Sequence, residues 1–227
     1  NILTTKPIPD GIDINYVLEK YINAIGGLDK MHALTDISLK YEVEISGAPM
    51  KIDYETSYKK PNLYYMSMNA GNFGEMMGIK YNGKKCFESG MQGGKELSEE
   101  EILKKADAFI CFPLVEAEKL NLTLDLKEIE EVNNKDAYKV IQTNSFNEKK
   151  TMYFDIETGH LIKKVYTEET GGMSVQTIEE YFEYSNYQGL QFPKTTTITQ
   201  SMEQGSQNFT LNLIEVSYES INKDKFE

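Results

Sequence analysis

The feature that most constrains this chain is a strict two-residue period that begins at Ile37 and returns through most of the remaining sequence. Ile37, Leu39, Tyr41, Val43 and Ile45 alternate with Ser38, Lys40, Glu42 and Glu44. Successive side chains of a strand point to opposite faces, so this pattern predicts a half-buried strand. After a turn at Gly47-Ala48-Pro49, Met50, Ile52, Tyr54, Thr56 and Tyr58 alternate in the same way. Lys60-Pro61-Asn62 turns the chain into a strand over 63–69, and a fourth covers Gly74 to Tyr81. That strand ends in Asn82-Gly83, the dipeptide favoured by two-residue type I′ hairpins. Strands joined by such short turns pair antiparallel, because parallel neighbours need long crossovers. Further strands are expected over 86–88, 122–126, 137–143, 151–156, 161–166, 174–184, 190–201 and 207–220, twelve in all. An open sheet of that size curls, splits or closes.

Helices interrupt the pattern at two places. Residues 1–11, with Pro7, Pro9 and Gly11, read as a leader or linker, and 12–227 as a single domain. Asp13 is a good N-cap for a helix whose apolar stripe is Ile14, Val17, Leu18, Tyr21, Ile22 and Ile25. Gly26-Gly27 ends it, and a short helical turn follows over Asp29 to Leu34. Ser98-Glu99-Glu100-Glu101 has the form of a capping box, Pro113 stops the helix it opens, and a second piece is expected over Leu114 to Leu120. The expected fold class is α+β, mostly β. It is a strongly curved antiparallel half-barrel of eleven or twelve strands, with the N-terminal helix and the central helical insertion on its concave face.

Charge narrows the partners. The chain has 36 acidic and 24 basic residues, a net charge of -12, and every basic residue is lysine. Such a field repels a polyanion, and no guanidinium is present to grip phosphate, so nucleic acid is excluded. No apolar run approaches the roughly 18 residues of a spanning helix, so the chain does not span a membrane as a helix. Cys86, Cys111, His32 and His160 show no metal-ligand spacing, so no metal and no cofactor is expected. The two cysteines read either as buried thiols or as a disulfide of an oxidising compartment, and their spacing leaves both open. The carboxylate doublets, such as Glu130-Glu131 and Glu179-Glu180, lie in polar stretches, and His160 flanks a hairpin. No catalytic residue is assigned, and the chain is read as a non-enzyme.

Soft apolar residues are unevenly spread. Six of the ten methionines lie between positions 50 and 91. Tyr64, Met66 and Met68 share a strand face by parity, Tyr54 lies in the preceding alternating strand, and Phe73, Met76 and Met77 follow closely. Methionine and tyrosine make adaptable apolar surfaces. These seven residues form either an ordinary core under the first helix or the lining of a cavity between sheet and helices. The second reading makes them the candidate ligand-binding residues.

Several local motifs also carry a resemblance. Tyr21-Ile-Asn-Ala-Ile-Gly-Gly27, Tyr81-Asn-Gly83, Lys135-Asp-Ala-Tyr-Lys-Val140, Tyr153-Phe-Asp-Ile-Glu-Thr-Gly159 and Tyr187-Gln-Gly-Leu-Gln-Phe-Pro193 resemble a domain common in Bacteroidetes. That domain occurs alone or as the C-terminal module of insulinase-type zinc-protease-like chains, and is similar to the periplasmic lipoprotein-carrier fold of LolA and LolB. The resemblance implies a periplasmic, monomeric, non-catalytic carrier for a hydrophobic small molecule or acyl chain, exported by a signal peptide not contained in this sequence. Its alternative implication is an accessory module docking on a protein partner. No zinc-protease signature is present, so proteolysis is not carried over.

Overall fold

The computed structural model describes residues 5–227 apart from 49, 92 and 171. In chain order the strands are β1 (Thr5–Lys6), β2 (Asp36–Ile45), β3 (Lys51–Lys59), β4 (Leu63–Asn69), β5 (Glu75–Tyr81), β6 (Cys86–Gly90) and β7 (Gly93–Glu96). They continue as β8 (Thr123–Val132), β9 (Lys135–Thr143), β10 (Lys149–Asp155), β11 (Leu161–Thr170), β12 (Met173–Tyr187), β13 (Leu190–Met202) and β14 (Gly205–Ser217). The helices are α1 (Ile14–Ala24), α2 (Leu28–Ala33) and α3 (Glu99–Lys104). The fold is mostly β, as expected. Among the described residues there is one antiparallel sheet of fourteen strands in the order β1-β8-β9-β10-β11-β12-β13-β14-β2-β3-β4-β5-β6-β7, and it does not close on itself.

The chain divides into two compact units, Asn1–Lys30 with Leu114–Asn208 and Met31–Pro113 with Phe209–Glu227. In the first, α1 lies on the sheet from β8 to β10. Asp13 caps it as expected, its carboxylate accepting the Tyr16 N–H at 2.9 Å, a contact worth about 1 kcal/mol. Val17 is buried with Ile129, Tyr138, Val140, Met152 and Phe154, and Tyr21 meets Phe154 edge-on at 5.2 Å. Just past the helix end, Gly26 lies against the turn between β12 and β13. Its φ is 129°, and an added Cβ would sit 2.4 Å from the Gly189 carbonyl.

The second unit is the meander β2 to β7, with β14 from Phe209 onward paired to β2. The capping box at α3 is present, Ser98 and Glu101 each bonding the other's backbone N–H. A 3-10 turn over Ala106–Phe109 follows, and Phe109 is buried. At the end of the chain Phe226 is also buried, and Lys225 pairs with Glu55 at 2.6 Å. Asp36 accepts from Lys59 at 2.5 Å and from the Ile221 N–H at 3.0 Å.

Four local expectations are corrected. The leader contains the short strand β1, paired with β8. The glycine-rich stretch after β6 forms β7. Residues 114–120 wind as successive turns and not as a helix, although Leu120 still donates to Glu116. The β5–β6 turn is centred on Gly83-Lys84: Gly83 alone has a positive φ, 89°, and Asn82 instead accepts the Lys84 and Lys85 N–H groups. A type I′ turn needs positive φ at both central residues, so it does not form at Asn82-Gly83. The expected turn residue Pro49 lies outside the described residues.

Candidate functional site

The second unit carries its apolar residues in rows that cross the sheet. Paired residues of an antiparallel sheet point to the same side, so register alone assembles a face. One row is Ile37, Tyr58, Tyr64 and Tyr81; the next is Leu39, Thr56, Met66 and Ile79; a third is Tyr41, Tyr54, Met68 and Met77. A register shift after Met68 makes Met76 an extra residue on β5.

Tyr64 and Met66 are buried together with Tyr81, Cys86, Leu97 and Phe109, and Tyr54 and Met68 pack against that cluster half-buried. Tyr54, Met68 and Met76 also pack against a second cluster built on Val43, Ile52 and Ala70. Five of the seven sequence candidates are therefore brought together on adjoining clusters. Met77, whose row continues to Gly90 of β6, is 47% exposed, and Phe73 is 84% exposed on a 3-10 turn between β4 and β5.

Aromatic rings dominate this face. Tyr41 and Tyr54 lie 5.5 Å apart, Tyr58 and Tyr64 5.1 Å, and Phe109 stacks on Tyr81 at 4.5 Å while lying 5.4 Å from Tyr64. Burial pushes the Tyr58 and Tyr64 phenols well above their usual range, so both stay neutral and act as apolar rings with a hydroxyl at one end. Burial likewise lifts the thiols, Cys86 to about 11 and Cys111 to about 12, and both cysteines are unbonded. Thiols so protonated are poor nucleophiles. Tyr58 and Tyr81 were missed as candidates, although the parity that selected Tyr54 also selects Tyr58.

A cleft of about 690 Å³ opens on the same unit, lined by Tyr65, Glu75, Lys80, Phe87 and Phe226 and also by Met66 and Cys86. Ser89 donates to Glu75 at 2.6 Å there, and Lys80 to the Glu227 carbonyl at 2.7 Å.

The first unit holds two polar features. The Glu179 carboxylate accepts from Lys164 at 2.8 Å, from the Tyr166 hydroxyl at 2.8 Å, and from the Tyr181 hydroxyl. Burial works to raise its pKa, but the Lys164 charge and these donors outweigh it and hold the group below the usual carboxylate value. His160 stacks flat on Tyr184, ring centroids 4.1 Å apart, with its Nε2 buried and unbonded. Burial lowers its pKa, against the opposing pull of bonds to the Ala24 backbone and Gln191. Among the described residues no group of His, Cys, Asp and Glu side chains is gathered as a metal site would be, and no helix is long and apolar enough to cross a membrane.

No family model and no curated protein matches the sequence. Solved structures do match in fold. A LolA superfamily protein from Nitrosomonas europaea aligns with a TM-score of 0.64 at 13% identity, covering 96% of this chain and 98% of its own. An outer membrane lipoprotein-sorting protein domain from Vibrio parahaemolyticus aligns with a TM-score of 0.62 at 10% identity, covering 92% and 94%. A DUF1329 family protein from Desulfovibrio piger gives 0.62 at 9% identity, covering 94% and 97%. At such identities the likeness concerns the fold alone, and that fold is the one shared by the LolA superfamily and outer membrane lipoprotein-sorting domains.

Proposed function

We propose that this chain is a non-catalytic periplasmic carrier that binds a hydrophobic ligand, a lipid or the acyl chain of a lipoprotein. The observation that carries the reading is the tyrosine–methionine face of β2 to β5, with Tyr54, Tyr64, Met66 and Met68 at its centre. Phe109 from the helical insertion rests on the Tyr64–Tyr81 row, while Tyr54 and Met68 stay half-buried. An acyl chain laid along those rows gains roughly 25 cal/mol per Å² of apolar surface removed from water, before the cost of association. Unbranched methionines adapt to such a chain without fixing its length or saturation. A lipoprotein-sorting domain shares the fold, which supports the reading.

Mass spectrometry of lipid extracted from the purified protein tests it. The expected result is an acyl lipid present in near-stoichiometric amount and depleted in a Met68→Glu variant. Lipid at trace level in both proteins, with no uptake on incubation with lipid extract, overturns the reading.

A further inference from the structure

The reverse face of β4 to β7 is built differently from the tyrosine–methionine rows. Tyr65, Lys80, Phe87 and Glu96 pair across the four strands. In the first three strands each is next in sequence to a buried residue, Tyr64, Tyr81 or Cys86, so this row stands on the opposite side of the sheet. The next row on that side is small: Ser67, Gly78, Ser89 and Gly94. The cleft of about 690 Å³ takes residues of both rows into its lining. Its size lies within the roughly 300–1,000 Å³ of small-molecule sites.

Two glycines let larger groups lie flat on the sheet. An added Cβ at Gly94 would fall 2.5 Å from the Phe87 ring, so the ring covers that backbone, and it is 48% exposed. At Gly78 an added Cβ would meet the Ser89 Oγ at 2.6 Å and the Glu75 Oε1 at 2.8 Å, and those two groups bond to each other above it. The cleft therefore offers an open aromatic plate beside a hydroxyl–carboxylate pair.

The polar groups around the plate are already joined. Lys85 pairs with Glu96 at 3.0 Å, Asn82 donates to the Glu227 side-chain carboxylate at 2.9 Å, and Lys80 to the Glu227 carbonyl at 2.7 Å. Carboxylates outnumber ammonium groups in the lining, which opposes an anion. A cation on the plate would sit beside Lys80, the cross-strand neighbour of Phe87. An aliphatic ligand would strip water from the Lys85–Glu96 pair and return no hydrogen bond. A neutral polyol meets none of these costs. Its hydroxyls both donate and accept, so they join such a network without adding charge. The C–H groups on one face of a sugar ring are weakly positive and match the negative face of an aromatic ring.

We propose that this cleft binds a neutral oligosaccharide, with one sugar ring stacked on Phe87, its hydroxyls bonded to Lys80, Lys85 and Glu96, and the adjoining sugar reaching Ser89 and Glu75. The site goes beyond the hydrophobic-carrier reading and stands without it, because Phe87 and its row leave the sheet on the other side from Tyr64 and Met66.

The test applies the full chain to a microarray of neutral and anionic oligosaccharides, then follows the best neutral binder by NMR titration. Saturable binding is expected, with amide shifts centred on Lys80, Phe87, Ser89 and Glu96. Phe87→Ala should weaken it about tenfold, the loss of one stacking platform, while Phe87→Trp keeps it. Gly94→Ala, which keeps the ring but pushes it off its seat, should weaken binding as well. All three variants should melt close to the wild type. Uptake of a fluorescent fatty acid should be the same in Phe87→Ala and the wild type, which separates this site from the proposed carrier face. Failure to bind any neutral glycan overturns the proposal. So does binding limited to anionic glycans, or binding that Phe87→Ala and Gly94→Ala leave unchanged.

Discussion

Phe109, from the 3-10 turn after α3, stacks on Tyr81 of β5 with ring centroids 4.5 Å apart and planes within 28° of parallel. Together with Ile102, which packs against the same cluster, this ring fixes the helical insertion to the tyrosine–methionine face. Phe109→Ala should cost about 3–5 kcal/mol in urea denaturation, the usual range for removing a buried phenylalanine ring. On the proposed function, the same variant should bind an apolar fluorescent probe at least as tightly as the wild type, because Tyr64 and Tyr81 are uncovered. Loss of stability together with loss of probe binding would show that the ring shapes the site and does not cover it.

The Lys164–Glu179 pair should behave as a partly desolvated ion pair with hydrogen-bonded phenols. Glu179→Gln removes the carboxylate charge that Lys164 faces at 2.8 Å and weakens the bonds from Tyr166 and Tyr181, at a cost of about 1.5–3 kcal/mol. Replacing both members, Lys164→Met with Glu179→Leu, should recover much of that loss, since well-packed apolar pairs often match buried ion pairs. Denaturant midpoints of the two variants decide the matter.

His160 gives the chain an acid-sensitive joint at the C-terminus of α1. Its folded pKa lies below the ordinary 6.5, so the native state prefers the neutral ring and the unfolded chain takes up the proton first. The stabilisation is fully present above 6.5 and is lost as the pH falls below it. Asp155 and Lys135 also act on the ring, the first favouring its proton and the second opposing it. Between pH 7.5 and 5.5 the wild-type urea midpoint should fall more steeply than that of His160→Phe. Parallel curves would remove His160 as the cause.

Gly26 should tolerate no side chain. Both its φ of 129° and the 2.4 Å approach of an added Cβ to the Gly189 carbonyl oppose alanine. Gly26→Ala should cost more than the roughly 1 kcal/mol of ordinary glycine effects, whereas Gly27→Ala meets no neighbouring atom and should cost only its φ penalty. Thermal melting of the two variants compares them directly.

Much of this architecture was legible because its signals are local. Asp13 and the Ser98–Glu101 box declare helix starts through their own backbone bonds, and the alternation from Ile37 to Tyr58 fixes two strands and their buried face. Local signals fail where none exists. β1 has two residues, and β7 begins with Gly93-Gly94, which has no side-chain period to read. Leu114, Ala117 and Leu120 have helical spacing, yet the chain there forms only turns. The candidate face was half legible. Parity placed Tyr64, Met66 and Met68 together, and register then added Tyr58 and Tyr81. The seating of Phe109 on Tyr81 is a contact distant in sequence, which no period encodes. Phe73 and Met77 follow the same strand closely in sequence, yet Phe73 sits on a turn and Met77 is paired with the bare Gly90, and both stand in water.

The central claim, a face that takes an apolar guest, is tested most directly by titrating the protein with a fluorescent fatty acid. The account predicts saturable one-to-one binding at micromolar concentration, weakened about tenfold or more when Met68→Glu places a charge in the row beside Tyr54. A linear, non-saturating signal, the same for wild type and variant, would contradict it.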